Sequence, residues 1–526
     1  MTTSWHDQVI ALAGKTVAER YLPGLPAGYS SENTPEHAAQ DFKILDTLNK
    51  EQPIHIALYT TTENTDFPLH CRLMQRQQPI VLSDILPMLE NFGFRVQSEN
   101  PYKIISGNDT AYYISDFTLT HAYANIDLNT IKPSFESAFL ALRQGRIEND
   151  AYNQLTLAAS LSWQDITLLR AYTKYLKQTA FRLSQAAIMK AVVSHADIAK
   201  DLITLFYALH HPKDHDDYLA KTIQDRIVLA LADVASLDDD RALRRLMELI
   251  QATLRTNAFQ TTADGRDESI IAFKLDSHRI PDLPLPLPLY ETFVYSPRFE
   301  AIHLRNTKVA RGGIRYSDRP DDFRTEILGL MKAQKVKNAV IVPSGAKGGF
   351  VVKQLPQGPR EAVQAEVIHC YQGFIGTLLD ITDNILKKDV IRPKNVVCYD
   401  DTDTYLVVAA DKGTASFSDI ANELSKKHQF WLGDAFASGG STGYDHKKMG
   451  ITARGAWESI KRHFRELGID VFTTPITVVG IGDMSGDVFG NGALYTDQIK
   501  LIAAFDHRHI FIDPRPDAKK TYEERK

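Results

Sequence analysis

The sequence has few of the features that mark secreted or membrane-spanning proteins. It has three cysteines in 526 residues, Cys71, Cys370 and Cys398, which are too few and too far apart for a disulfide framework and fit a reducing cytoplasm. The N-terminus has no basic segment followed by an apolar core, so we expect no signal peptide. No apolar run approaches the roughly 18–20 residues that span a bilayer, so we expect no membrane partner.

Basic tracts are also missing. The formal net charge is −5, and no basic run is interleaved with aromatic residues, so we expect no nucleic-acid partner.

Metal-ligand spacings are absent too. Asp400, Asp401 and Asp403 could bind a hard cation, but we interpret their segment as a loop and expect no metal. The composition, 44% hydrophobic and 24% charged, is that of a globular protein with enough length for roughly three to four domains.

Hydrophobic periodicity divides the first half of the chain into two modules. Residues 1–50 have a mostly helical pattern, and four strand-like runs then surround a helix that we expect Ser83 to cap. This ββαββ order predicts a small α+β module of regulatory or ferredoxin-like character over residues 1–145. Apolar residues at helical spacing predict a helical bundle over residues 146–280.

The second half of the chain begins with a proline-rich segment. Alternate prolines over residues 281–288 exclude a helix there and mark the entry into another domain. From this point to residue 470, strands alternate with helices, which predicts an α/β substrate domain over residues 281–470. The strand-like runs that support this prediction are residues 302–304, 339–342, 396–399 and 405–409.

Residues 471–526 begin like a dinucleotide-binding fold, with an apolar strand, a glycine-rich turn, a helix-like run and a second strand. Asp506 ends the second strand, where an acid holds ribose hydroxyls and repels a 2′-phosphate, so we expect NAD. A complete fold of this kind has about six strands, so we expect an incomplete Rossmann-type domain and a chain that is part of a longer polypeptide. The candidate cofactor-binding residues here are Gly480, Gly482, Asp483, Met484, Ser485 and Asp506.

Cationic residues in glycine-rich segments are the strongest chemical signal. Lys347 stands between small residues in the run Pro-Ser-Gly-Ala-Lys-Gly-Gly, where we expect it to leave an apolar strand into a glycine turn. A lysine desolvated beside other cations has a lowered pKa and can act near neutral pH. The alternatives are a phosphate-binding glycine turn or a plain hairpin. Arg311 and Arg315 flank a glycine pair and could bind a carboxylate, or could be solvated arginines of a hairpin.

One carboxylate completes the set of candidates. Asp411 follows an apolar strand and precedes Lys-Gly-Thr, a position where α/β enzymes place functional groups. Desolvation that raised its pKa would let it transfer protons. The alternative is that Asp411 caps a helix beginning near Ser416 or Ser418.

Together these motifs resemble the amino-acid dehydrogenases, glutamate dehydrogenase above all. The sequence of these motifs is similar to that of the large NAD-specific glutamate dehydrogenases of bacteria, and the resemblance covers most of the chain. The segments that carry it are residues 311–315, 343–349, 410–414, 438–443, 449–455 and 480–486.

The resemblance implies specific roles. Lys347 matches the catalytic lysine that activates water, and Asp411 matches the proton-transferring aspartate. Arg311 stands where the family has a lysine that grips a substrate carboxylate, beside Gly312 and Gly313. A second carboxylate-binding lysine falls on Lys337 by the pattern Lys-x-Ala-Val or on Lys335 by counting from Gly312, and we choose Lys337. Thr452 and Arg454 match a segment that leads toward the cofactor.

The resemblance therefore implies NAD-dependent oxidative deamination of L-glutamate to 2-oxoglutarate and ammonium by a cytoplasmic homo-oligomer. Two alternatives stay open from the sequence. One is a dehydrogenase of an apolar amino acid, which would leave Arg311 and Lys337 without a second carboxylate to bind. The other is a non-catalytic module for ligand sensing or assembly.

Overall fold

A computed structural model gives the chain as two compact units. The first comprises Met1–Thr414 with Leu424–Gly433, and the second comprises Ala415–Glu423 with Asp434–Lys526. The combination of helices and sheets confirms the predicted α/β class. The residues that the structure describes are 4–61, 69–123, 127–261, 269–337, 344–443, 449–482, 484, 486–506 and 508–526, without the side chains of 335–337.

The first module begins with helices and continues as a sheet covered by helices. The helices are α1 (Trp5–Ala13), α2 (Lys15–Tyr21), α3 (Tyr29–Glu32) and α4 (Pro35–Thr47). They are followed by β1 (Ile54–Thr60), β2 (Leu69–Arg76), α5 (Leu82–Asn91), β3 (Phe94–Ile105), β4 (Ala111–His121) and α6 (Leu128–Arg143). The four strands form an antiparallel sheet in the order β1-β2-β4-β3, which confirms the ββαββ prediction.

The start of α5 differs from the prediction. Val81, not Ser83, is its N-cap residue, and no side chain caps the helix. The carbonyl of Val81 already accepts hydrogen bonds from the backbone amides of Asp84 and Ile85. Ser83 therefore lies inside the first turn, where its hydroxyl is not needed as a cap.

The region predicted as a helical bundle contains helices up to residue 252. Its helices are α7 (Leu155–Ala158), α8 (Trp163–Lys177), α9 (Gln185–Ser194), α10 (Ala196–His210), α11 (Asp217–Leu231) and α12 (Leu237–Ala252). Four of them start at a side chain that accepts a backbone amide, as N-cap residues do. These caps are Ser162, Ser184, Asp216 and Ser236.

A seven-stranded mixed sheet follows, in the order β13-β9-β10-β8-β7-β6-β5. Its strands are β5 (Thr253–Thr256), β6 (Ile271–Asp276), β7 (Tyr290–Tyr295), β8 (Phe299–Arg305), β9 (Gly313–Tyr316), β10 (Ala346–Val352) and β13 (Ala409–Ala410). A hairpin of β11 (Asn384–Leu386) and β12 (Asp389–Ile391) lies apart from this sheet. The helices α13 (Phe323–Lys337) and α14 (Arg360–Asp380) pack against the sheet, and α15 (Ser418–Lys427) follows β13 along the chain.

The domain boundary expected between residues 280 and 281 falls inside one continuous sheet, so it does not separate two domains. β6 pairs with β7 across it, with Phe273 opposite Phe293. One hydrophobic core also runs from the bundle to the sheet, and Tyr172 of α8 stacks on Phe273 with ring centroids 3.9 Å apart. The bundle and the sheet therefore fold around shared apolar side chains.

Buried ion pairs, not strands, anchor the segment before β13. Arg255 of β5 donates to Asp400 at 2.6 Å, Lys274 of β6 donates to Asp403 at 2.6 Å, and Arg305 of β8 donates to Asp403 at 2.7 Å. All five side chains are almost inaccessible to solvent. The aspartates that the sequence analysis left in a loop thus tie that loop to three strands.

Two strand predictions fail in this segment and one cannot be assessed. Residues 396–399 form no strand, and the predicted strand 405–409 enters the sheet only at Ala409. The segment is held by carboxylates, so it needs few ladder hydrogen bonds. The predicted strand 339–342 lies outside the described residues.

The second unit contains a small three-stranded sheet. Its elements are α16 (Ile451–Glu466), β14 (Ile476–Ile481), β15 (Ile499–Phe505), β16 (Ile510–Ile512) and α17 (Ala518–Arg525). β14 and β15 are parallel as predicted, and β16 adds an antiparallel strand that the sequence analysis did not foresee. The indole of Trp457 in α16 donates to the Gly492 carbonyl at 2.6 Å, so the unit begins earlier than the predicted boundary at 471.

The helix expected after the glycine turn is irregular. Asp487–Asn491 forms a π-helical turn, and a short 3₁₀ segment follows. Phe489 packs over Gly480 so closely that a side chain at Gly480 would overlap its ring. The Asp487 carboxylate accepts the backbone amide of Thr452 at 3.0 Å, which draws this turn toward α16. Across the described residues, no helix has the length and apolarity to cross a membrane.

Glu148 supports a prediction about stability. Lys353 Nζ, just after β10, donates to Glu148 at 2.5 Å, and Lys174 Nζ of α8 lies 3.2 Å away. Burial would raise the pKa of Glu148, but the two lysines outweigh it and lower the pKa from 4.5 to about 2. The ionised carboxylate therefore stabilises the fold above pH 4.5, and this contribution is lost as the pH falls toward 2.

We expect Glu148→Gln to lower the free energy of unfolding by about 1–3 kcal/mol at pH 7, because two cations lose a buried partner. The loss should shrink as the pH falls below 4.5. Denaturant titrations at a series of pH values measure it. Glu19→Gln, at the exposed Lys15–Glu19 pair, is the matched control and should change little. A loss at Glu148 that does not vary with pH would contradict the ion-pair explanation.

Candidate functional site

Three parallel strands bring the candidate residues of the first unit together. β9 lies between β10 and β13, with Arg315 opposite Gly349 and Ile314 opposite Ala410. Asp411 follows the last residue of β13, so it continues the register beside Arg315. Side chains alternate between the faces of a strand, which places Lys347 on the same face of β10 as Gly349 and therefore close to Arg315.

Lys347 and Asp411 form a direct ion pair. Lys347 Nζ lies 2.6 Å from Asp411 Oδ2, and the two side chains are only 10% and 18% exposed. The sequence analysis placed Lys347 in a glycine turn after a strand. Lys347 instead lies within β10, opposite Leu304 of β8. A strand holds a side chain more rigidly than a turn does, so the position of the lysine is fixed by the sheet.

Arg315 approaches the same carboxylate from β9. Its Nε donates to Asp411 Oδ2 at 3.1 Å, and its Nη1 donates to Glu326 Oε1 of α13 at 2.9 Å. Ser317 Oγ donates to the second oxygen of Glu326 at 2.6 Å. The charges thus alternate along the row Lys347, Asp411, Arg315 and Glu326, and this row is neutral as a whole.

The pKa of Asp411 moves in the direction opposite to the expectation from the sequence. Burial does act to raise it, but hydrogen bonds from Lys347 and Arg315 outweigh burial and hold the pKa of this carboxyl below its ordinary value. Asp411 is therefore an ionised carboxylate near neutral pH. It can accept a proton once a ligand draws Lys347 away or adds negative charge nearby.

Short hydrogen bonds fix the loop that carries Asp411. Thr414 Oγ1 donates to the Ile314 carbonyl at 2.6 Å, and the amide of Asp411 donates to Thr414 Oγ1 at 3.2 Å. Gly413 has a φ of 82°, which a residue with a side chain rarely adopts. No helix begins at this loop, since α15 starts at Ser418, so Asp411 is not a helix N-cap.

The glycines around the site allow the strands to approach. A Cβ at Gly312 would overlap the carbonyl oxygen of Ala346, and a Cβ at Gly313 would lie 3.0 Å from the Ala410 carbonyl oxygen. A Cβ at Gly349 would overlap Ile327 of α13. The glycine pair predicted to bind substrate thus has a packing reason to be glycine, and its role toward substrate stays a prediction.

Arg311 is a cation of the site without a partner in the part of the chain that the structure describes. Its backbone bridges to Gly345, and its side chain is exposed. Among the described residues, no hydrogen bond or ion pair involves its guanidinium. Lys337 ends α13, but its side chain lies outside the described residues, as does that of Lys335. The choice between these two lysines therefore stays open.

The candidate cofactor residues lie in the second unit. Gly482 follows β14 with a φ of 125°, which favours glycine, and its amide donates to the Phe505 carbonyl at 2.9 Å. Asp506 follows β15, and its Oδ1 accepts the amides of Arg508 and His509 at 2.7 Å each. Met484 lies in the turn after β14, whereas Asp483 and Ser485 lie outside the described residues.

These features fit one end of a dinucleotide. Two parallel strands, a turn that requires glycine after the first, and a carboxylate directly after the second are the arrangement that holds the phosphates and the ribose. The irregular turn Asp487–Asn491 replaces the expected α-helix, so no α-helix N-terminus directly follows the glycine turn in the described residues. Elsewhere in the described chain, no cluster of three or more histidine, cysteine or acidic side chains is arranged to hold a metal.

The sequence analysis missed the structural task of Arg315 and did not single out Glu326. Arg315 was grouped with Arg311 as a potential substrate ligand, but two carboxylates already bind it. The position of Arg315 just after the glycine pair was a partial signal that the sheet holds this side chain. Glu326 lies in a helical segment, and nothing in its local sequence indicates that it contacts Arg315.

Fold and site together define a mixed α/β protein with a buried lysine–aspartate pair and a separate unit in which a glycine-containing turn follows the first of two parallel strands. Residues 226–526 match the family model described as the catalytic domain of bacterial NAD-glutamate dehydrogenase. The chain belongs to this family. Residues 147–212 match glutamate dehydrogenase helical motif 3, and residues 53–131 match the glutamate dehydrogenase ACT3 domain.

Curated relatives match along nearly the whole chain. An NAD-specific glutamate dehydrogenase of Pseudomonas aeruginosa is 50% identical over 99% of this chain and 33% of its own length. The proteins of the same description from Halomonas elongata and Mycobacterium tuberculosis are 50% and 47% identical, over 100% and 99% of this chain and 33% and 34% of their own lengths. The chain thus spans about a third of the length of these relatives.

The close approach at Gly312 can be tested. Since a methyl group there would collide with the Ala346 carbonyl of the neighbouring strand, we expect Gly312→Ala to destabilise the protein by about 1–3 kcal/mol. Gly329→Ala is the matched control, because a Cβ on that residue of α13 meets nothing within 4 Å. Thermal unfolding compares the two variants. Equal melting temperatures would show that β9 and β10 are not as close as described.

Proposed function

We propose that this chain carries the NAD-dependent oxidative deamination of L-glutamate to 2-oxoglutarate and ammonium. The observation that carries the proposal is the buried pair of Lys347 and Asp411, joined at 2.6 Å across β9. The relatives that are 47–50% identical over almost the whole chain are described as NAD-specific glutamate dehydrogenases, which supports it.

Cations outside the ion-pair row would bind the substrate carboxylates. Lys347, Asp411, Arg315 and Glu326 neutralise one another, so a dianionic substrate needs further positive charge. Arg311 is exposed and has no partner among the described residues, and its guanidinium can bind a carboxylate through two hydrogen bonds. We assign the second carboxylate to Lys337, with Lys335 as the alternative, and expect the backbone at Gly312 and Gly313 to line the same site.

Asp411 and Lys347 would divide the proton transfers. Asp411, held ionised, accepts a proton from the α-ammonium group of glutamate. After the α-hydride has left, Lys347 orients a water molecule toward the carbon of the resulting iminium. Addition of this water and departure of the nitrogen give 2-oxoglutarate and ammonium.

A bound NAD supplies the acceptor for the hydride. In this chain, Gly480 and Gly482 would allow the pyrophosphate to approach the backbone after β14, and Asp506 would accept hydrogen bonds from the ribose hydroxyls. The other residues that we assign to this site are Thr452, Asp483, Met484 and Ser485.

We further propose that the protein works as a homo-oligomer in the cytoplasm. All three cysteines are free thiols, and Cys71 and Cys370 are buried, which suits a reducing compartment. Sedimentation of the intact protein tests the oligomer, and cell fractionation tests the location.

The central assignment predicts the effect of two substitutions. In the intact protein, Lys347→Ala and Asp411→Asn should each lower kcat for glutamate by on the order of 10²–10⁴, as the loss of a general acid or base does. Glutamate-dependent NADH formation measures this, with leucine as the substrate control. Lys412→Ala is the matched variant, because Lys412 is exposed and its nearest carboxylate is 3.9 Å away. Near-wild-type turnover in either site variant would refute the assignment.

Asp506 predicts the cofactor preference. We expect a higher kcat/KM with NAD than with NADP, because a carboxylate repels the 2′-phosphate. Asp506→Ser should narrow this preference while it keeps a short side-chain acceptor for the Arg508 amide. Steady-state kinetics with both cofactors measure the ratio. An unmutated enzyme that uses both cofactors equally well would contradict the role of Asp506.

A further inference from the structure

Arg315 is the only member of the ion-pair row that touches two carboxylates on two different elements. Its Nε lies 3.1 Å from Asp411 Oδ2, after β13, and its Nη1 lies 2.9 Å from Glu326 Oε1 on α13. The side chain is 20% exposed, so it is largely withdrawn from solvent. Both of these carboxylates bind the guanidinium from within the protein.

We propose that Arg315 is a positioning residue, which Glu326 orients and which in turn holds the Asp411 carboxylate in place beside Lys347. The inference rests on the proposed function, since it assigns Arg315 a task in the proton transfer by Asp411. It also separates the two arginines of the Arg-Gly-Gly-Ile-Arg motif, because Arg311 is left to bind substrate and Arg315 is not.

The geometry explains why arginine is required at this position. A guanidinium is planar and carries donors that point in fixed, divergent directions. Arg315 uses this shape to reach Asp411 with Nε while Nη1 reaches Glu326. A lysine has one nitrogen on a flexible stem, so it cannot keep both carboxylates in these directions.

Glu326 fixes the guanidinium from the helix side. One of its oxygens accepts from Arg315, and the other accepts from Ser317 Oγ at 2.6 Å, so the carboxylate has a defined orientation. The neighbouring residue Ile327 is fully buried against the sheet, which holds α13 in position. The rigid helix thus determines where Arg315 points, and Arg315 determines where Asp411 points.

The charged groups that face Asp411 give the sign of the pH effect. Lys347 approaches from β10 and Arg315 from β9, while Glu326 on α13 acts through Arg315. Both cations favour the ionised form of Asp411. Weakening the contact with Arg315 raises the pKa of Asp411. As the pH falls, the carboxylate form is then lost at a higher pH than in the unmutated enzyme, and the activity that needs it is lost with it.

Arg315→Lys and Glu326→Gln in the intact protein test the proposal. We expect kcat for glutamate to fall on the order of 10- to 100-fold in Arg315→Lys, as for a misplacement of about 1 Å, with less than a threefold change in KM. The acid limb of the kcat/KM profile should move to higher pH. Glu326→Gln should also lower kcat and move the acid limb to higher pH, but by smaller amounts than Arg315→Lys. Arg319→Lys is the matched control, because Arg319 forms an exposed ion pair with Asp322. It should change neither kcat nor the pH profile.

The outcomes separate this inference from the proposed function. If Asp411→Asn is inactive but Arg315→Lys keeps both kcat and the pH profile, the inference is overturned and the function stands. A tenfold or larger rise in KM with unchanged kcat would make Arg315 a substrate ligand and would also overturn it.

A readout that needs no activity completes the test. In a double-mutant cycle of unfolding free energies, Arg315→Lys and Asp411→Asn should be coupled, because each removes the partner of the other. If the intact protein does not oxidise glutamate, the proposed function fails, and with it the catalytic task assigned to Arg315. Additive effects in the cycle would show that Arg315 does not hold Asp411 and would overturn the inference independently.

Discussion

The first unit depends on a row of alternating charges that crosses three parallel segments and one helix. Each charge is removed from water, which is costly unless an opposite charge lies close by. Lys347 and Arg315 both approach Asp411, and Glu326 balances Arg315. Because the row is neutral, the fold tolerates its burial, and because Asp411 stands between two cations, it stays ionised. The contacts that allow the row to be buried are therefore the same contacts that keep Asp411 ionised.

Glycine makes this row possible. The side chains can meet only if β13, β9, β10 and α13 pack closely, and methyl groups at Gly312 or Gly349 would overlap their neighbours. The abundance of glycine near the site is thus a packing requirement, in addition to any approach by substrate. The neighbour that comes close to these glycines in the structure is the adjacent strand or helix.

The sequence was sufficient for what local patterns encode. The helices of the bundle, the ββαββ module and the strands β14 and β15 could be predicted, whereas the chemical roles of Lys347 and Asp411 stay predictions. The partners could not be predicted, because pairing is not local. Arg255, Lys274 and Arg305 meet Asp400 and Asp403 more than ninety residues away in sequence. The boundary at 281 failed for the same reason, since β6 and β7 pair across it.

Two aspartates show what a local pattern leaves undetermined. Asp411 and Asp506 each directly follow the last residue of a strand, and the sequence marks both as functional for this reason. Two cations hold Asp411, whereas two backbone amides of a turn hold one oxygen of Asp506. The first arrangement holds an ionised carboxylate between two positive charges, which suits proton transfer, and the second fixes a carboxylate in one orientation, which suits recognition of hydroxyl groups. The neighbours that each strand end meets in the fold therefore decide which chemistry its carboxylate can perform.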